Sequence, residues 1–78
     1  MMFEIIMNMP VRTANTLVHR LICSYAVESM GDLIDDLNNT DFIVVDEWYP
    51  NESNQYVNHG AIALNRRFVG KIKEWSKQ

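Results

Sequence analysis

The sequence holds one cysteine, two prolines and three glycines in 78 residues, and no uninterrupted apolar run is longer than four residues, as at Phe42 to Val45. A lone Cys23 cannot close an internal disulfide, which suits a reducing compartment and leaves noncovalent packing to hold the fold. A helix that crosses a bilayer needs about 20 apolar residues, so no membrane partner is expected. Glu4 stands where a signal peptide would carry basic residues, and no long apolar segment follows it; together these point to a cytoplasmic location. In that setting the Asn38-Asn39-Thr40 and Asn51-Glu52-Ser53 sequons are not glycosylated. Three scattered glycines supply no phosphate-binding loop, dinucleotide fingerprint or calcium loop, so no cofactor is expected.

Hydrophobic residues nevertheless make up 47% of the chain and charged ones 22%, a composition too apolar for disorder. The length allows a single domain, residues 1–78, near the size at which a lone core gives marginal stability. The net charge of −3 conceals a polarised distribution. Eight acids and no lysine or arginine lie between Glu28 and Glu52, whereas from Arg66 onward five bases face Glu74 alone.

Phe3 to Met9 alternates apolar and polar residues and reads as a half-buried strand ended by Pro10. After the turn Val11-Arg12 and a cap at Thr13, apolar residues at Ala14, Leu17, Val18, Leu21, Ile22 and Tyr25 follow helical spacing, so a first helix is expected. Ser29 caps a second helix whose apolar side is Met30, Leu33, Ile34 and Leu37, with a left-handed exit at Asn38-Asn39. Asp41 to Tyr49 is a strand apolar on both faces, which suits a central position in a sheet. Pro50 to Asn54 is a hairpin loop, Gln55 to Leu64 resumes extended chain with a bulge or kink at Asn58-His59-Gly60, and Asn65-Arg66-Arg67 turns into a last strand, Phe68 to Trp75. The expected fold is α+β: a small antiparallel sheet in chain order β-α-α-β-β-β, with two helices on one face. Because two short helices cover one face only, the other needs the chain's tail or a second copy, and a homodimer is expected.

His19 and Cys23, four apart on the first helix, would project from one face as two metal ligands do, but His59, Asp46 and Glu47 complete no recognisable four-ligand spacing, and no metal is expected. A thiolate-base pair of Cys23 with either histidine lacks the glycine-rich turns that often supply an oxyanion site. The neighbouring carboxylates Asp35-Asp36 and Asp46-Glu47 point in different directions and form no dyad. The sequence therefore reads as non-enzymatic.

Two binding readings remain. The first is an adaptor, regulator or inhibitor, for instance of a nucleic-acid-handling machine. It would engage another protein through Asp32, Asp35 and Asp36 on the second helix and through Asp46, Glu47, Trp48 and Tyr49 at a strand end. The second is direct nucleic-acid binding by Arg66, Arg67, Lys71 and Lys73, which five bases on a net-negative chain support less well.

Overall fold

The computed structural model describes residues 1–10 and 16–76. In chain order they form β1 (Met2–Pro10), β2 (Thr16–Ser24), α1 (Met30–Asn39), β3 (Phe42–Pro50), β4 (Tyr56–Asn65), a 3-10 turn (Arg66–Phe68) and β5 (Val69–Glu74). The strands make one five-stranded antiparallel sheet in the order β4-β3-β2-β1-β5. The expected order β-α-α-β-β-β with two helices is therefore wrong. Among the described residues there is one α-helix, and the segment read as the first helix is β2. The turn Val11-Arg12, the cap at Thr13 and the helix start at Ala14 fall outside the described residues.

The physical reason lies in β2 itself. It pairs with β1 from Met2↔Ser24 to Pro10↔Thr16. In the strand Leu21 and Cys23 are buried on the α1 side of the sheet, while Ile22 is buried on the opposite, outer side. A strand apolar on both faces places hydrophobes next to one another, and neighbouring pairs three and four apart mimic a helical stripe. Pairing with β1 along its whole length and with β3 at Ile22 to Ser24 satisfies the backbone there, and at that end Leu21, Ile22 and Cys23 are buried on both faces at once, although Val18 stays 61% exposed.

The helix begins and ends with local bonds. Ser29 Oγ accepts from the Asp32 backbone N–H at 3.2 Å, as the sequence implied. The expected left-handed exit is absent: Thr40 leaves the helix in extended conformation, with φ −139. The last carbonyls find side-chain donors, with Thr40 Oγ1 donating to Asp36 O at 2.8 Å and Arg66 Nη1 donating to Asn38 O at 3.1 Å and Leu37 O at 3.3 Å. Leu33 and Leu37 join Phe3, Ile5, Met7, Leu21, Cys23, Ile43, Val45 and Leu64 in the core between helix and sheet.

β3 lies between β2 and β4 but meets β2 through three residue pairs, Ile22↔Trp48 to Ser24↔Asp46. Its first half pairs with β4 alone, leaving Phe42 57% and Val44 60% exposed on the outer face. The register with β4 slips between Asp46 and Trp48, opposite Gly60, whose φ of 101 only glycine adopts without strain. Elsewhere the sheet rolls over its outer face. Tyr56 at the start of one edge strand and Trp75 just beyond the other have ring centroids 4.6 Å apart. The tail thus covers part of the outer face.

Candidate functional site

The proposed protein-binding residues divide between the two faces of the sheet. On α1, Asp32 and Asp35 are exposed, as is Glu28 just before the helix. Asp36 is partly buried and accepts a 2.7 Å hydrogen bond from the Tyr25 hydroxyl, which pins the helix to the end of β2. That bond, with Asp36 as its charged acceptor, also raises the Tyr25 pKa. Asp46 and Trp48 lie on the outer face instead, away from the helix: Asp46 accepts from Asn58 Nδ2 at 3.2 Å, and Trp48 Nε1 donates to Ser24 Oγ at 2.9 Å. Tyr49 is exposed, with its ring edge-on to His59 at 4.9 Å, and a hydrogen bond to Glu47 raises its pKa. Asp46 and Trp48 therefore belong to a surface separate from the acidic helix, whereas Glu47, opposite Cys23 in the ladder, and Tyr49 alternate onto the α1 side. Adjacent positions on a strand face opposite ways, and β3 carries both sets of alternating side chains past the helix.

The basic residues are dispersed as well. Arg66 holds the helix C-terminus and lies 3.7 Å from Asp41. Lys73 sits 3.6 Å from Glu4 on the outer face. Arg67 and Lys71 are exposed and enter no ion pair among the described residues. Lys77 falls outside the description. Lys71 and Lys73 lie side by side over Glu4 and Ile6, whereas Arg66 is taken up at the helix C-terminus.

His19 and Cys23 sit two strand repeats apart on the α1 side of β2, not on a helix. His19 is exposed, while Cys23 is fully buried and its thiol is pushed up to about 11 by burial. Such a thiol is almost wholly protonated at neutral pH and shut off from solvent. Among the described residues no three His, Cys, Asp or Glu side chains gather as a metal-binding group.

One cluster escaped the sequence reading. Under the Tyr56–Trp75 contact, an open cleft of about 500 Å3 is lined by Glu4, Arg20, Lys73 and Glu74. Arg20 Nε donates to Glu4 Oε1, and this bond first, with the nearby Lys73, holds the Glu4 carboxyl below the usual glutamate range. Two cations and two carboxylates balance, so the cleft presents no net charge to a ligand. Glu4 and Arg20 belong to adjacent strands, but with β2 read as a helix their proximity was invisible. An apolar groove of about 440 Å3 also opens on the α1 side, over Met7, Leu21, Ile62 and Leu64.

No protein-family model matches the chain, and no curated protein or solved structure shows significant similarity to it. No helix is long and apolar enough to cross a membrane among the described residues.

Proposed function

We propose that the chain is a small non-enzymatic protein of the cytoplasm that binds a basic surface of another protein, acting as an adaptor, regulator or inhibitor. The observation that supports this reading is the outward acidic face around α1. Glu28, Asp32 and Asp35 are exposed and enter no ion pair among the described residues, while Arg66 is taken up at the opposite end of the helix and Lys73 by Glu4 on the outer face. An exposed patch of one sign steers association with the opposite sign and suppresses wrong partners. A basic groove that serves nucleic acid is a fitting target, so inhibition of a nucleic-acid-handling machine is the form of regulation the charge suits best. Asp36 is excluded from the contact set because Tyr25 already uses it.

The test is affinity capture from lysate with the tagged chain against its Glu28→Gln/Asp32→Asn/Asp35→Asn variant. Capture of a basic protein that the variant loses, and that wanes as salt rises, is the expected result. Equal capture by both proteins refutes the acidic face as the contact. Salt-sensitive binding of duplex or single-stranded probes, abolished by Arg67→Ala/Lys71→Ala, would replace this reading with direct nucleic-acid binding.

A further inference from the structure

The outer face of the sheet is covered unevenly. Around Ile22 and Trp48 the rolled sheet and the Tyr56–Trp75 contact close over it, but along the first half of β3 and the second half of β4 nothing does among the described residues. There, Phe42 and Val44 stand exposed beside Ala61 and Ala63, with Val44 directly opposite Ala63 in the ladder. Next to this patch runs the free edge of β4, the outermost strand on its side of the sheet. From Tyr56 to Asn65 it contains no Asp, Glu, Lys or Arg. Proteins ordinarily guard a free edge with charge, proline or a twist-inducing bulge. The bulge at Gly60 guards only the first half of β4 and leaves Ala61 to Asn65 uncharged, with alanine at the outer-face positions Ala61 and Ala63.

We propose that this half of β4 is the contact through which two copies of the chain pair, edge to edge and antiparallel, into one continuous sheet. The occupant follows from charge. The C-terminal end of β4 runs directly into Arg66 and Arg67, of which Arg67 is exposed. The other end lies beside Asp46, which is paired with Ala61 and bonded to Asn58, and beside Glu47. An antiparallel second copy lays the basic end of each strand against the acidic end of its partner, twice by symmetry. A parallel neighbour would oppose like to like. The alanines let the two strands approach with no side chain in the way, and Phe42 and Val44 flank the join. The two-fold axis of such a pair is perpendicular to the sheet, so both α1 helices lie on the same side. This pairing is independent of what the acidic face binds.

Sedimentation of the full chain across a concentration series tests it. The expected result is a reversible dimer whose dissociation constant rises about 10-fold or more in Ala63→Lys, since like charges face each other across the ladder. Mixing Ala63→Lys chains with Ala63→Glu chains restores it, because in the antiparallel register that sets residue 63 against its own copy each lysine meets an acid. A chain that stays monomeric at the highest concentration overturns the proposal, as does a dimer indifferent to Ala63→Lys or a charge-swapped pair that fails to recover. Should Ala63→Lys not fold, Ala63→Cys decides: mild oxidation yields a covalent dimer, with the buried Cys23 silent and Glu52→Cys giving none. Absence of that cross-link also overturns the pairing.

Discussion

The two outer strands of the sheet solve the same problem in opposite ways. β5 carries Lys71, Lys73 and Glu74 along a short strand, and Lys73 is drawn over the outer face by Glu4. β4 is longer and carries no formal charge, with a bulge at one end and alanines at the other. Unpaired backbone groups on a charged edge stay hydrated and repel a second strand, whereas those on a bare edge invite one. What differs is how each edge is guarded: β5 by charge along its length, and β4 by a bulge over its first half only.

The comparison breaks most severely at the core that both edges share. Phe3 is fully buried on β1, next to β5, whereas Phe42 is exposed beside β4. Phe3→Ala is expected to cost about 3–5 kcal/mol, and Phe42→Ala in dilute solution about 0.5 kcal/mol or less; urea denaturation measures both. Similar losses at the two positions would mean that the patch on β3 is covered within a single chain.

A finer contrast concerns the glycine in each outer strand. At Gly60 a Cβ meets nothing within 4 Å, but φ is 101, so Gly60→Ala costs about 1–3 kcal/mol through backbone strain alone. At Gly70 the obstacle is a neighbour: a Cβ would collide with Asn8 Nδ2. Asn8→Ala should therefore relieve Gly70→Ala in a double-mutant cycle and leave Gly60→Ala unrelieved.

The smallest effect is on pH dependence, on the β5 side. The Glu4 carboxyl is held below its ordinary value, first by the Arg20 hydrogen bond. Its contribution to stability is present above the ordinary glutamate pKa and is lost as pH falls through the lowered value. Glu4→Gln should lower stability slightly at neutral pH and flatten the acid limb of the stability curve, so that the two proteins converge as pH falls. A variant at the β4 edge, such as Ala61→Ser, should leave that limb unchanged.

Much of the architecture was legible because its signals are local. The Ser29 cap, the turn residues Pro50 to Asn54, the glycine bulge in β4 and the short turn at Asn65 each act through a few bonds between near neighbours in the chain. Asn51 Oδ1, for example, accepts from the backbone N–H groups of Ser53 and Gln55, both at 2.9 Å. The identity of β2 was not legible, since Val18, Leu21 and Ile22 suit a helical stripe and a two-sided strand alike. That one error moved His19 and Cys23 onto a helix face, hid the Glu4–Arg20 pair and added a second helix to the expected fold. Of the candidate surfaces, the outward acids of α1 were readable from periodicity, but their separation from Trp48 depended on which face of the sheet the helix covers.

The sequence by itself determined where the charges lie along the chain, where most elements begin and end, and that no covalent link holds them, because these properties depend on residue type and near neighbours. Only the tertiary structure decided that Thr16–Ser24 is a strand, that the acidic helix and Trp48 face apart, and that β4 rather than β5 is the unguarded edge. Strand order is chosen by backbone groups pairing across long stretches of chain and by burial on both faces of β2 at Leu21 to Cys23, and neither leaves a periodic trace in a single segment.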